Sequence, residues 1–169
     1  VSASSVGGNY LQAFIDPAFS HATYLLGAGA HSIGGTVTLS PFGGGVFAAA
    51  RADAVSVVSL APGSGWQSFS FGGVDSAWGT AFLVSLPSSG VVTITDAGLS
   101  GDEFYVDGFG LTSTPIQGHS VGNDFDAALA DPFFSHAKFD LAAGDYLITG
   151  LATLSPFGGG VNAAVRVDL

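Results

Sequence analysis

The chain contains no cysteine and no methionine, only three Lys or Arg residues, and a single glutamate, Glu103. Without cysteine there are no disulfides, no thiol chemistry and no thiolate metal sites. With 13 acidic residues against three basic ones the net charge is −10. A nucleic-acid ligand is excluded on that balance, because a cationic surface is needed to displace counterions from phosphates. Attraction to an anionic membrane surface fails for the same reason. No run of eighteen apolar residues occurs, so a transmembrane helix is excluded. The absence of Met even at position 1 is what removal of a leader segment would leave, and secretion is the expectation.

Charge is scarce altogether: 9% of the 169 residues are charged and 47% are hydrophobic, where a soluble domain usually has about a quarter charged. That apolar excess must sit in a core, an interface or a ligand cavity. The 26 glycines, 14 phenylalanines and abundant Val and Thr favour strands and turns over helices. No segment keeps a 3.6-residue period. Strands are expected at 22–26, 32–39, 46–60, 66–71, 80–86, 91–95, 103–107, 138–141, 146–154 and 161–168, with helical turns at 11–15 and 125–130. About ten short strands at this spacing imply an all-β, sandwich or jelly-roll-like fold.

One unit occurs twice. Residues 16–22 read Asp-Pro-Ala-Phe-Ser-His-Ala and residues 131–137 read Asp-Pro-Phe-Phe-Ser-His-Ala. Leu-Ser-Pro-Phe-Gly-Gly-Gly-Val stands at both 39–46 and 154–161. At a constant shift of 115, residues 6–53 match 121–168 at 27 of 48 positions without a gap. The segment 54–120 has no second copy. A lone three-stranded copy would leave edges and an apolar face exposed. The expectation is therefore one sandwich domain spanning 1–169, its two copies packed around the unique middle; unmatched strands would otherwise pair across a homodimer.

The second copy and its lead-in resemble a group of secreted β-sandwich proteins of bacteria, often carrying a PEP-CTERM sorting tail, and of fungi. The residues that carry this resemblance are Gly101-Asp102-Glu103-Phe104-Tyr105-Val106-Asp107-Gly108, Asp124-Phe125-Asp126-Ala127-Ala128-Leu129-Ala130-Asp131-Pro132, Phe134-Ser135-His136 and Ser155-Pro156-Phe157-Gly158-Gly159-Gly160 with Arg166-Val167-Asp168. The resemblance implies export and an all-β fold rather than a reaction. A looser resemblance, to pigment-binding chromoproteins of mushrooms, implies a bound coloured small molecule.

Candidate functional residues fall into three sets. The first is acidic: Asp124, Asp126 and Asp131 offer hard oxygens in one stretch, the kind of set Ca2+ or another divalent cation prefers, with the repeat-equivalent pairs Asp16–His21 and Asp131–His136 as further ligands. The plain alternative is that Asp16 and Asp131 cap turns before proline, with His21 and His136 packed at strand starts, and that Asp124 and Asp126 belong to a solvated acidic loop with Asx turns. The second set is aromatic: Trp66 and Trp78, with Phe42 and Phe157 of the Pro-Phe-Gly-Gly-Gly turns, would line a pocket or pack in the core. The third is Arg51 and Arg166, each two residues before an aspartate, Asp53 or Asp168. Each would form a local ion pair or hold an anionic ligand head.

No nucleophile elbow, zinc-protease helix, phosphate loop or dinucleotide fingerprint is present. Ser20–His21 and Ser135–His136 are sequence neighbours, which strand geometry sends to opposite faces. The expectation is a non-enzymatic protein that binds an apolar or amphipathic small molecule such as a pigment or lipid, with a divalent cation as a further ligand. The alternatives are an extracellular structural or adhesion module and a carbohydrate-binding sandwich using Trp66 or Trp78.

Overall fold

The structure, a computed structural model, describes residues 9–36, 38, 48–160 and 162–169. The chain divides into two compact units, residues 1–52 and 53–169. Nearly all of the first copy lies in the first unit and the whole second copy lies in the second.

In the first unit one element stands out, helix α1 (Tyr10–Ile15), with Asn9 as N-cap accepting from the backbone N–H of Gln12 at 3.0 Å. It ends at Asp16, whose carboxylate accepts from the N–H of Ala18 at 2.8 Å across Pro17. The strands expected at 22–26 and 32–39 do not form among the described residues, and none of those residues is buried. The turn at 39–46, with Phe42, lies outside the described residues.

The second unit is all-β and sandwich-like. Among the described residues twelve strands run through it: β1 (Ser56–Ser59), β2 (Gln67–Phe69), β3 (Thr80–Leu86), β4 (Gly90–Thr95), β5 (Gly98–Leu99), β6 (Glu103–Val106), β7 (Gly110–Leu111), β8 (Ser120–Gly122), β9 (His136–Leu141), β10 (Gly144–Ile148), β11 (Gly150–Leu154) and β12 (Ala163–Asp168). Helix α2 (Phe125–Ala130) sits between β8 and β9. The largest sheet is antiparallel, in the order β2-β12-β4-β9; the others run β1-β3-β10, β11-β6-β7 and β5-β8. β1 lies parallel to β3 at the edge of its sheet.

Strand alternation builds the core. Val165 opposes Ile94 and Val167 opposes Val92, so these side chains and Phe69 share one face of the four-stranded sheet. They pack into a single cluster with Phe82, Val84 and Leu86 of β3, Phe104 and Val106 of β6, Ile148 of β10 and Ala152 of β11. Trp78, entertained above as a ligand platform, is fully buried in this cluster, stacked on Phe69 at 4.1 Å and edge-on to Phe104. Its place is the core, where Phe71, its partner across an isolated β-bridge, is buried beside it.

The strand expected over 146–154 is two strands. β10 pairs with β3 and β11 pairs with β6, so the chain changes sheets at Thr149. Gly150 permits the change: a Cβ there would stand 2.0 Å from the carbonyl oxygen of Tyr105 and 3.0 Å from the indole of Trp78. The outer face of the four-stranded sheet carries Thr93, Thr95, Ala164 and Arg166, and α2 packs against β4.

Candidate functional site

Three places in the second unit combine chemistry with access. The first begins where β4 ends. Asp96 follows six buried or half-buried strand residues and is itself fully buried. Its Oδ1 accepts from the N–H of Ala97 at 2.9 Å, and its Oδ2 from those of Gly101 and Asp102 at 3.3 and 3.2 Å. The loop 97–102 is thus wound around one carboxylate, with Gly98 at φ +76 at its turn. Burial, reinforced by the charge of Asp102, pushes Asp96 up to about 7 despite those three donors. Burial raises Asp102 as well.

Asp102 Oδ1 is buried and meets no hydrogen-bond donor. The Ser155 hydroxyl donates to the carbonyl of Gly158 at 2.6 Å, and its nearness to Asp102 partly offsets the effect of burial on that carboxyl. Ser155 opens the Pro-Phe-Gly-Gly-Gly turn, where Gly158 takes φ +85 as a tight turn of this composition requires. Between loop and turn lies a cavity of about 120 Å³ lined by Asp102, Phe157, Phe71, Leu99 and Asn162 and by the backbone of Gly158, Gly159 and Gly160. Phe157, read from the sequence as a candidate ligand contact, is 57% exposed at its rim.

The second place brings together Trp66, Asp126 and Arg166. The Trp66 indole N–H donates to Asp126 Oδ1 at 3.0 Å, and Arg166 donates to the same oxygen at 2.9 Å. Arg166 Nε donates to Asp168 at 2.8 Å, and its guanidinium lies 4.5 Å above the Trp66 ring. The Trp66 hydrogen bond, followed by Arg166, holds the Asp126 carboxyl below its usual range. These contacts tie α2 to β12. Arg166 is shared between two carboxylates and a ring, which leaves it poorly suited to an anionic ligand. Arg166→Gln is expected to remove the cation over Trp66, so that tryptophan emission moves to longer wavelength while the melting temperature falls only slightly, the pairs being exposed. An unchanged emission spectrum would mean that Arg166 does not cover the ring.

The acidic candidates for a divalent cation face different partners. Asp124 caps α2, accepting from Ala127 N–H at 2.9 Å; Asp126 is held as above; Asp131 Oδ1 accepts from Phe133 N–H at 3.0 Å across Pro132. Among the described residues no three His, Asp or Glu side chains converge as a metal site. The expected Asp131–His136 pair is replaced: Asp131 Oδ2 bonds His119 Nδ1, whose ring rests on Phe133 at 4.7 Å. The His136 ring instead bonds the carbonyl of Phe134 at 3.0 Å, because the turn over Pro132 points Asp131 toward the lead-in of the copy. In the first unit Asp16 forms the same proline turn and His21 stacks near Phe14 at 4.8 Å. Arg51 and Asp53 each engage a partner.

The third place is an open groove of about 400 Å³ over β3 and β10. Leu60, Pro62, Leu83, Val84 and Tyr146 line it, and Ser59, Ser85 and Asp145 supply its polar edge. Sequence reading missed this groove, along with Asp96, Asp102 as a cavity wall, and His119. The available signal for Asp96 is a lone aspartate directly after the β-branched run 91–95, followed by glycines at 98 and 101.

Fold and sites together define an all-β, sandwich-like protein with an internal duplication and no helix long and apolar enough to cross a membrane among the described residues. No family model, curated protein or solved structure matches the chain.

Proposed function

We propose that this is a non-enzymatic, secreted protein that binds an apolar or amphipathic small molecule, such as a lipid or pigment, in the groove over β3 and β10. The observation that carries this reading is the groove itself: about 400 Å³, walled by Leu60, Pro62, Leu83, Val84 and Tyr146. Its volume falls within the range of small-molecule sites, and such sites are mostly apolar with a few polar groups at the edge. Asp145 at the edge and the net charge of −10 favour a neutral or cationic polar end on the ligand. Leu83 is 43% exposed in the middle strand of its sheet, so it presents apolar surface that folding alone leaves uncovered.

A neutral solvatochromic dye such as Nile red tests it. Binding by the unmodified protein, and roughly tenfold weaker binding by Leu83→Asp with an unchanged circular dichroism spectrum, are the expected results; loss of one buried leucine contact is of that size. No dye binding, or equal binding by the variant, overturns the reading. A self-associating structural module is the second reading, favoured by exposed Val57 and Val58 on edge strand β1. Sedimentation that finds a monomer at high concentration removes it.

A further inference from the structure

We propose that the cavity between loop 96–102 and turn 155–160 is a binding site for a small organic cation, an alkylammonium or quaternary ammonium group. Size, charge and wall chemistry each point to that class, and the site is separate from the groove over β3 and β10.

The cavity is small, about 120 Å³, well below the roughly 300–1,000 Å³ of sites for drug-sized ligands. A compact head group such as trimethylammonium suits it better than a lipid chain. Its acidic groups have no basic partner among the described residues. Asp102 lines the cavity, Asp96 stands behind it, and no Lys, Arg or His among the described residues pairs with either carboxylate. One Asp102 oxygen has no donor, and the nearby Ser155 hydroxyl donates to the carbonyl of Gly158 instead. A buried carboxylate normally has a countercharge or a full set of donors; here the missing partner is a cation.

The walls select which cation. A hard divalent ion needs more oxygens than two aspartates provide, and the described residues offer no third acidic or imidazole ligand. Two aromatic rings, Phe71 and Phe157, line the cavity instead. Aromatic rings attract cations through their quadrupole and suit ammonium groups that carry methyls. The ring of Phe157 is held in place from below, since Gly101 leaves it room: a Cβ there would lie 3.2 Å from Cε2. Gly159 keeps the turn equally close to the opposite wall, where a Cβ would stand 2.3 Å from the carbonyl oxygens of Phe71 and Gly72.

The test is a titration of the isotope-labelled full chain with choline chloride, followed by amide resonances. Sodium chloride at matched ionic strength and 3,3-dimethylbutan-1-ol, the neutral isostere, serve as controls. Choline is expected to shift Leu99, Asp102, Gly158 and Gly160 saturably, and the isostere to bind roughly tenfold more weakly, the difference that cation–ring contacts supply. Asp102→Asn and Phe157→Leu are each expected to lose most of the choline response; both positions are partly exposed, so both variants fold. Absence of a saturable shift at these residues overturns the proposal. So does an isostere that binds as tightly as choline, which would make the cavity merely apolar, or undiminished binding by both variants.

Discussion

Trp78→Ala is expected to lower the unfolding free energy by about 3–5 kcal/mol, the range for removing a large aromatic from a core. A domain of this size is stable by about 5–15 kcal/mol, so the variant will be marginal or unfolded at 37 °C. The position justifies the upper end. Trp78 has no exposed surface, stacks on Phe69 at 4.1 Å and meets Phe104 edge-on at 6.1 Å. The bare Cα of Gly150 is fitted beneath it, so no neighbouring side chain there moves in to fill the hole. Trp78→Phe separates volume from polarity. The indole N–H is buried without an acceptor, and an orphaned buried donor costs about 1–3 kcal/mol. Phenylalanine removes that donor together with part of the volume, so its net loss should be well below that of alanine. Urea unfolding followed by circular dichroism measures both. Equal losses for the two variants would mean that the N–H finds a partner.

The same residues show what was legible in the sequence. Local structure was: the helical turn at 125–130 coincides with α2, and the strand expected at 80–86 coincides with β3. Capping carboxylates, proline turns and period-two alternation act within a few residues, and the sequence displays them directly. Pairing was not legible. The copies carry matched helices, Tyr10–Ile15 and Phe125–Ala130, and matched Asx-Pro turns. Yet only the second copy builds strands among the described residues. The reason is supply of partners. β9 pairs with β4, β10 with β3 and β11 with β6, and all three partners come from the unique middle segment. Each of these middle strands is occupied by the second copy, and a strand without a ladder leaves its backbone groups to water. Residues 22–26 and 32–36 therefore carry strand-like sequence and no ladder.

The candidate sites divide along the same line. Trp66, Asp126 and Arg166 are candidates by residue type, and tertiary structure joins them to one another, which turns a ligand set into a clamp on α2. Asp131 and His136 are five residues apart, but a proline turn and strand geometry give them different neighbours. Asp96 is inconspicuous in the sequence because nothing beside it is charged; its significance comes from burial, and burial is a property of the packed sheets.

That burial makes stability depend on pH in an unusual direction. The Asp96 carboxyl titrates at about 7 in the folded protein against 3.8 in an unfolded chain. Below about pH 4 both states hold the proton and the fold is unpenalised. Between about 4 and 7 the folded state binds more protons than the unfolded one, so stability falls as pH rises, and above about 7 the loss is complete. The difference corresponds to something on the order of 4 kcal/mol. Asp102, raised by the same burial, adds in the same sense, whereas the exposed and lowered Asp126 opposes it weakly. Urea titrations should therefore show the protein more stable at pH 5 than at pH 8, the reverse of ordinary acid denaturation. General repulsion among the surplus carboxylates has the same sign, so the variant decides. Asp102→Asn keeps the size of the side chain and removes the neighbouring charge that, after burial, raises Asp96. It should gain stability at pH 8, change little at pH 5, and so flatten the slope. If the variant and the unmodified protein lose stability in parallel between pH 5 and 8, surface repulsion is the cause and the buried pair is not.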